Sequence, residues 1–361
     1  MKAVIPAAKK KENMFPFSES KPTSLMPVKG EPLILQTIEK LKSQGVDEIY
    51  VVVNYMEDAF RELFDGRTDV NIVLQENLSG TAQALKTVDF IEDDFIVING
   101  DVVISEKDIR KLIESHEGDL SLLATDESKA EKFGVLSIQN DEIVSIEEKP
   151  ENPENSLINS GIYLLRPDIF ELLNASDNPS LTEIINENIE AFDARFRLIE
   201  DYWIDIGGPK KLLEADRVLR EKELVSNISD DAKIAENASI GEKVRIGTSV
   251  TIEDGAVIKG PTVIGENSYI GPNTVIESST IGTNSQIENC HIHSSLLFEE
   301  NIVDSFNDLE NIVLGEECDL KPGSVLKESF IGPRSYIDMN NSIRGVKFVP
   351  DARTDLSEIS K

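Results

Sequence analysis

Residues 234–276 read IAENASIGEKVRIGTSVTIEDGAVIKGPTVIGENSYIGPNTVI and carry an isoleucine at every sixth position, from Ile234 to Ile276. An α-helix cannot bury one stripe of side chains at this period. A short strand followed by a corner can, because six is a multiple of the two-residue strand period. Glycine directly follows several of the isoleucines, as at Gly247 and Gly265, where a corner needs permissive backbone. The stretch predicts a hexapeptide β-helix with branched side chains stacked along its axis.

The six-residue pattern weakens towards the C-terminus but continues as far as Ile343. Three hexads per triangular coil resemble the left-handed parallel β-helix. Residues 297–313 break the register, and we expect this segment to bulge out of the coil. His291 and His293 are the histidines of this region, and one could act as the general base of an acyltransferase. We favour ordinary wall or corner positions for both, with the β-helix serving as an oligomerisation stalk.

The first 207 residues have a different pattern, in which short β-branched runs alternate with helical stretches. EIYVVVN (48–54), DFIVING (94–100) and LSLLAT (120–125) are examples of the runs, and residues 32–45 have helical spacing. Such alternation predicts a Rossmann-like α/β domain with a mostly parallel sheet, in which ligands bind beyond the carboxyl ends of the strands. The sequence therefore divides into an α/β domain (1–207), a connecting helix (208–228), the β-helix (229–345) and a polar tail (346–361).

Composition excludes several classes of partner. The 361-residue chain has a formal net charge of −31, which disfavours nucleic acids and anionic membranes. No apolar run reaches the ~18 residues of a membrane-spanning helix. Cys290 and Cys318 give no disulfide or metal-binding pattern, and we expect both to be buried in a reducing cytoplasm.

Polar residues at strand ends are the candidates for chemistry. Asp101 ends the INGD strand (98–101), where a carboxylate can hold Mg²⁺ at a phosphate, although a Gly-Asp pair is more often a simple turn. Gln75, Gly80 and Thr81 join a strand to a helix. Gln75 could pair with a nucleobase edge and Gly80 lets backbone approach a ligand, although a plain helix start explains them equally.

Three further motifs follow along the chain. Glu148-Lys149-Pro150 ends a strand-like stretch, and Asn159-Ser160-Gly161 opens another. A carboxylate, an ammonium and an amide at strand ends suit a polyhydroxylated, phosphorylated ligand, although each motif alone is typical of a surface turn. Trp203-Ile204-Asp205 supplies a second carboxylate, which could equally cap the next helix.

Taken in order, these motifs resemble the sugar-1-phosphate nucleotidylyltransferases that carry a C-terminal left-handed β-helix. The likeness covers essentially the whole chain, from AVIPAA (3–8) through GTA, GD, FGV, EKP, N-x-G and W-x-D-I-G to the hexads. It implies attack of a hexose-1-phosphate on the α-phosphorus of a nucleoside triphosphate, forming a nucleotide-sugar and pyrophosphate. The GTAQAL run (80–85) leans towards UTP or dTTP.

The resemblance also implies a role for each motif residue. Mg²⁺ would be held by Asp101 and Asp205, and Lys149 would meet the sugar phosphate as a catalytic residue. The sugar would be bound by Gly134, Glu148 and Asn159. The nucleotide would be bound by Ala7, Ala8, Gln75, Gly80, Thr81 and Gly100.

The first loop departs from the family pattern L-A-A-G-x-G-T-R-L-x-P and its following P-K-x-x-x-P. The two glycines become Lys9 and Lys11, the threonine Glu12, the arginine Asn13 and the later lysine Thr23. Left-handed backbone at the two former glycines would cost about 1–2 kcal/mol each. Losing two donors aimed at transition-state charge would lower the rate by roughly 10⁴.

Two hypotheses remain open at this stage. The chain is an active nucleotidylyltransferase in which Lys9 or Lys11 binds phosphate, or it is a non-catalytic, nucleotide-sugar-binding subunit of an active paralogue. The second resembles the regulatory subunits of GDP-mannose pyrophosphorylase. We expect homo-oligomers through the β-helix, or hetero-oligomers with such a paralogue.

Overall fold

The computed structural model describes residues 1–76, 80–140, 142–175 and 180–354. The chain forms two compact units. The first combines Met1–Lys10 with Ile34–Asp205, and the second combines Lys11–Leu33 with the chain from Ile206 onwards. The sequence places a single boundary at residue 207, whereas the structure also assigns residues 11–33 to the second unit. We call these residues the strap.

Regular elements before the β-helix are short. The helices are α1 Leu33–Ser43, α2 Glu57–Leu63, α3 Thr81–Lys86, α4 Glu106–Glu114, α5 Ile169–Ala175, α6 Leu181–Glu187 and α7 Pro209–Glu223. The strands are β1 Lys2–Pro6, β2 Pro27–Val28, β3 Glu31–Pro32, β4 Glu48–Val53, β5 Val70–Leu74, β6 Phe95–Ile98, β7 Val102–Ile104, β8 Leu120–Asp126, β9 Gly134–Gln139, β10 Glu142–Glu148, β11 Leu157–Leu165, β12 Ala194–Leu198 and β13 Trp203–Asp205. Four 3₁₀ turns span Glu12–Met14, Phe17–Glu19, Thr23–Leu25 and Ala130–Lys132.

A nine-stranded sheet of order β5-β4-β1-β6-β11-β8-β12-β10-β9 forms the core of the first unit. Strands β5, β4, β1 and β6 are parallel, as predicted. The expectation of a mostly parallel sheet is wrong beyond β6, because β11 runs antiparallel to both β6 and β8. Strand β13 pairs antiparallel with β7 in a separate two-stranded sheet. The parallel half therefore brings the ends of β1, β4 and β6 together at one edge.

The second unit is dominated by three parallel sheets. Its strands are β14 Asn227–Ile228, β15 Lys233–Ile234, β16 Ser239–Ile240, β17 Val244–Ile246, β18 Thr251–Ile252, β19 Val257–Lys259, β20 Thr262–Ile264, β21 Tyr269–Ile270, β22 Val275–Glu277, β23 Thr280–Ile281, β24 Gln286–Ile287, β25 His291–His293, β26 Leu296–Leu297, β27 Ile302–Val303, β28 Asp308–Glu310, β29 Val313–Leu314, β30 Asp319–Leu320, β31 Val325–Lys327, β32 Phe330–Ile331, β33 Tyr336–Ile337, β34 Ser342–Arg344 and β35 Lys347–Phe348. Every third strand joins the same sheet, which is the architecture of a β-helix.

The hexad isoleucines point into this β-helix, and those from Ile246 onwards are almost fully buried. Cys290 and Cys318 lie in the same core, which confirms that both are buried. The predicted bulge at 297–313 is wrong. Val303 and Leu309 are buried in the stack. The coils that lead to them are two and one residues shorter than the coil from Ile252 to Ile270, and they keep their inward positions without a strict six-residue spacing. His291 and His293 are exposed on a sheet wall, as the ordinary interpretation expects.

One sheet of the β-helix has a buried outer face. Val263, Thr280, Leu296 and Val313 point outwards on β20, β23, β26 and β29, yet each is at most 1% exposed. The strap lies close to this face, because a Cβ atom on Gly30 would come within 2.9 Å of Val263 Cγ1. Residues after the first loop therefore belong to the packing of the β-helix.

Buried polar contacts attach the strap to α7 and to the β-helix. Asp216 of α7 accepts hydrogen bonds from the Lys29 amide (2.8 Å), the Thr280 hydroxyl (2.7 Å) and Arg220 Nε (2.9 Å). Arg220 also donates to the Pro261 carbonyl (2.6 Å). Both partners of this ion pair are fully buried. Helix α7 is thus a packed part of the second unit rather than a free connector.

The strap makes two further kinds of contact with the β-helix. Phe17 is fully buried and its ring centroid lies 5.4 Å from that of Phe298. Lys21 forms an ion pair with Glu299, and Arg245 donates to Glu31 (2.7 Å) and to the Lys29 carbonyl. Apolar packing and ion pairing therefore act along the whole strap.

Candidate functional site

The ends of the parallel strands fix the start of the first loop. The Ala7 amide donates to the Val52 carbonyl (2.8 Å), and the Gly100 amide donates to the Pro6 carbonyl (2.9 Å). The Tyr55 amide donates to the Ala8 carbonyl (3.1 Å). These bonds place Ala7, Ala8 and Gly100, all predicted nucleotide-binding residues, at the common edge of β1, β4 and β6.

Strand pairing brings two acidic residues near each other in the first unit. Asp101 immediately precedes β7, and the pairing of β13 with β7 places Asp205 opposite Val102, the neighbour of Asp101. Across the described residues, no cluster of three or more His, Cys, Asp or Glu side chains could hold a metal ion by itself. Asp101 and Asp205 would nevertheless suffice for Mg²⁺, because proteins commonly hold this ion through one or two carboxylates together with phosphate and water oxygens.

Gln75 and Gly80 contact each other at the entrance to α3. Gln75 is 3% exposed, and its side-chain amide lies 3.4 Å from the Gly80 carbonyl. Gly80 is the N-cap with φ of 117°, a backbone conformation that requires glycine, and Thr81 is the first helical residue. Residues 77–79 of the same motif lie outside the described residues. The Gln75 side chain is therefore buried and contacts the motif's own backbone.

The predicted sugar-binding residues converge on β9, β10 and β11. Gly134 pairs with Glu148 across β9 and β10. A Cβ atom on Gly134 would lie 3.1 Å from Glu148 Oε2 and 3.8 Å from Asn159 Cβ, so glycine keeps this space open. Lys149 follows with φ of 48°, its amide bonded to the Phe133 carbonyl (2.9 Å) and its ammonium 3.4 Å from Glu148 Oε1. The three sequence motifs thus form one local group.

Tyr163 is a residue of this group that the sequence reasoning missed. Its hydroxyl accepts a hydrogen bond from Asn159 Nδ2 (2.6 Å), while Asn159 Oδ1 accepts the Gly161 amide (2.9 Å). Burial raises the pKa of Tyr163 to about 12, so the phenol stays protonated at neutral pH. Residues 159 and 163 are four positions apart, a multiple of the two-residue strand period, so the sequence could have indicated that their side chains share one face of the strand. Hydrogen bonds therefore fix both the Nδ2 and the Oδ1 atoms of Asn159.

The backbone of the first loop differs from that expected of a glycine-rich phosphate loop. None of residues 9–14 has a positive φ, so the expected left-handed strain is absent. The backbone instead closes a 3₁₀ turn, in which the Met14 amide bonds the Lys11 carbonyl (3.1 Å) and the Phe15 amide bonds the Glu12 carbonyl (3.0 Å). The Met14 and Phe15 amides are therefore bonded within the turn and are unavailable to a phosphate.

Side chains of the loop are also engaged. Lys10 Nζ lies 5.4 Å from the centroid of the Tyr55 ring in the first unit. In the second unit, Lys11 Nζ lies 3.4 Å from the Ile206 carbonyl and Asn13 donates to the Gly207 carbonyl (2.5 Å). Lys9 is exposed. Lys10, Lys11 and Asn13 therefore each make a contact within their own unit.

Thr23, at the position of the family's later lysine, is 6% exposed inside the 3₁₀ turn Thr23–Leu25. The position is thus part of the packed strap.

Comparison with known proteins identifies the scaffold. The family model described as "Nucleotidyl transferase" matches residues 2–222, and the model described as "GMPPB C-terminal domain" matches residues 224–349. The chain belongs to the nucleotidyl transferase family. This membership confirms the resemblance drawn from the ordered motifs and the hexads.

Individual relatives match about three fifths of the chain. The chain is 32% identical to "Bifunctional protein GlmU" of Methanocaldococcus jannaschii over 229 residues, which is 62% of this chain and 55% of the relative. It is 31% identical to a "Putative mannose-1-phosphate guanyltransferase" of Sulfolobus acidocaldarius over 61% of this chain and 63% of the relative. The chain thus spans little more than half the length of the curated relatives it matches.

A solved structure shows the same fold. A putative glucose-1-phosphate thymidylyltransferase from Bacillus anthracis, in complex with a sucrose, matches 61% of this chain and 96% of its own with a TM-score of 0.57 and 28% identity. No described helix has both the length and the apolar character needed to cross a membrane.

Proposed function

We propose that this chain binds a nucleotide-sugar together with Mg²⁺ but does not activate a nucleoside triphosphate efficiently, and that it serves as the non-catalytic subunit of an active paralogue. The first loop carries this proposal. Its backbone amides close a 3₁₀ turn, Lys11 and Asn13 bind carbonyls of residues 206 and 207, and Thr23 is buried. The family's triphosphate-binding groups are thus replaced by groups with structural contacts.

The remaining motifs support retention of binding. Asp101 and Asp205 would hold Mg²⁺, which supplies charge neutralisation at a diphosphate when bound. Gly134, Glu148 and Asn159 would bind the hexose, and Lys149 would meet the adjoining phosphate. Gly80, Thr81 and Gln75 would contact the base. We propose that the base is uridine or thymidine, because the GTAQAL run (80–85) favours these two. The relatives are named for both guanylyl and thymidylyl transfer.

Oligomerisation is a further part of the proposal. We infer that the β-helix joins this chain to an active paralogue or to further copies of itself. An acyltransferase role for His291 or His293 receives no support from their exposed positions on the sheet wall.

The proposal predicts binding without turnover. Purified protein with Mg²⁺, UTP or dTTP and a hexose-1-phosphate should release pyrophosphate at least roughly 10⁴ times more slowly than an active relative assayed in parallel. UDP- or dTDP-sugars should raise the thermal unfolding midpoint, because a ligand that prefers the native state stabilises it. Turnover near one per second would overturn the proposal in favour of the active enzyme.

The active enzyme is the second candidate because Lys9 is exposed and the two carboxylates are retained. In that case Lys9 would act as a point-charge phosphate ligand. The change Lys9→Ala then separates the candidates, since it would abolish turnover in an active enzyme and leave nucleotide-sugar binding unchanged in a binding subunit.

Restoring the loop should restore part of the activity. We expect the combined change Lys9→Gly, Lys11→Gly, Glu12→Thr and Asn13→Arg to raise pyrophosphate release by about 10²–10³, because it returns one transition-state donor and permissive backbone. Thr23 is left unchanged, since a lysine there would bury an ammonium. The same variant with Asp101→Asn is the control and should stay inactive. If the four-residue variant released pyrophosphate no faster, the loop would not be the cause of the low activity.

A further inference from the structure

A small apolar cluster, separate from the main core of the first unit, joins three of the motifs. Its buried members are Ala130, Val135 and Ile158, and Phe133 and Trp203 pack against them. These residues come from the FGV motif, from the residue before the N-x-G motif and from the W-x-D motif. The predicted sugar site and the predicted Mg²⁺ site thus share one packing unit.

Trp203 contacts both sides of the sugar site directly. Its indole Nε1–H donates to the Ser160 carbonyl (3.1 Å), between Asn159 and Gly161. Its ring packs edge-on against Phe133, with centroids 5.6 Å apart and an interplanar angle of 67°. Phe133 precedes Gly134 and accepts the Lys149 amide through its carbonyl. A ligand that shifts either motif therefore acts on the indole.

Trp203 is also tied to the carboxylate pair. Trp203 and Asp205 lie two residues apart on β13, so their side chains share one face of the strand. The strand pairs with β7 over its whole length, with Trp203 opposite Ile104 and Asp205 opposite Val102. Trp203 and Asp205 thus belong to one short strand that is paired over its whole length.

Hydrogen bonds hold the residues that lead into β13. Asp108 of α4 is fully buried and accepts hydrogen bonds from the amides of Glu200 (2.8 Å) and Asp201 (3.2 Å). Lys40 donates to both the Tyr202 hydroxyl (3.1 Å) and the Ile104 carbonyl (2.9 Å). These contacts hold residues 200–202 immediately before β13.

We propose that Trp203 is a positioning residue that couples the hexose site to the Mg²⁺ site, so that a nucleotide-sugar and Mg²⁺ strengthen each other's binding. The proposal rests on the proposed function, because the ligand it invokes is a nucleotide-sugar. By linkage, the factor by which Mg²⁺ tightens nucleotide-sugar binding equals the factor by which the nucleotide-sugar tightens Mg²⁺ binding.

The chain provides its own probe, because Trp203 is the single tryptophan in the sequence. Titration of the wild-type protein with UDP-glucose or dTDP-glucose should change the indole fluorescence. The apparent Kd should be about fivefold or more lower with Mg²⁺ than with EDTA, a typical size for site-to-site coupling.

The variant Trp203→Phe tests the coupling by calorimetry. It keeps an aromatic ring but removes the N–H donated to Ser160. We expect binding in EDTA to change less than about threefold, while the factor by which Mg²⁺ lowers the Kd falls by about threefold or more. The direct contact of Mg²⁺ with the diphosphate would account for the part of the factor that remains. Tyr202→Phe is the matched control, since it alters the preceding residue and its hydrogen bond to Lys40, and it should retain the wild-type factor.

The outcomes separate the two proposals. Nucleotide-sugar binding with equal Kd in Mg²⁺ and EDTA, or an unchanged factor in Trp203→Phe, overturns the coupling and leaves the proposed function intact. A wild-type protein that binds no nucleotide-sugar in either buffer overturns both. A purely structural role for Trp203 would lower the unfolding midpoint of Trp203→Phe without changing the factor.

Discussion

Asp216→Ala is expected to lower the free energy of unfolding of the second unit by about 3–5 kcal/mol, because it leaves Arg220 buried and unpaired. Both side chains are fully buried, and Asp216 is the common acceptor for Lys29, Thr280 and Arg220. The variant therefore removes the attachment of the strap as well as the ion pair. Guanidinium unfolding followed by circular dichroism measures the loss.

Two comparison variants make this test specific. Arg344→Ala breaks an exposed ion pair with Glu328 (3.0 Å) and should cost less than about 1 kcal/mol. The double variant Asp216→Leu with Arg220→Met replaces both charges and should recover much of the stability, since buried pairs gain little over apolar residues. A loss of less than 1 kcal/mol in Asp216→Ala would show that the strap is not held at this point.

Phe17→Ala is expected to have a similarly large effect, about 3–5 kcal/mol, because it opens a cavity at a fully buried aromatic position. Phe17 packs on Phe298 with ring centroids 5.4 Å apart, at the other end of the strap from Lys29. Thermal unfolding followed by calorimetry measures the loss.

The control for this variant is Phe306→Ala. Phe306 is 70% exposed on a corner of the β-helix and holds a left-handed backbone with φ of 66°. Its truncation removes little buried area, so stability should change by less than about 0.5 kcal/mol. Equal losses in the two variants would indicate that Phe17 contributes no special packing.

Both predictions concern the residues that follow the family's triphosphate loop. In this chain those residues stabilise the β-helix unit through Phe17, Lys29 and Glu31. Selection on them can therefore act through folding even where the loop activates no triphosphate.

The sequence predicted the fold well where one short-range pattern determines it. The six-residue isoleucine period identified the β-helix, because each inward position is set by its own strand and corner. The prediction failed at 297–313, since inward positions such as Val303 and Leu309 are kept while coil length changes. Periodicity alone cannot distinguish a shortened coil from a bulge.

Contacts between residues that are far apart in the sequence could not be predicted from local patterns. The strap was missed because its contacts join residues that are about 190–280 positions apart, such as Lys29 with Asp216 and Lys21 with Glu299. The site motifs were identified by order, but their convergence around Trp203 depends on an antiparallel β11 that no local pattern specifies. Tyr163 was missed although its even spacing from Asn159 on the same strand was a local signal.

The reactivity of the two cysteines can show how often the β-helix opens. Burial raises the pKa of the thiols of Cys290 and Cys318 to about 12, and both lie in the inward stack. A thiol reagent reacts with the thiolate, so labelling at neutral pH requires the coils to separate. The labelling rate of the native protein therefore measures how often this solenoid opens. The strap variants should accelerate labelling if the strap's packing keeps the coils closed.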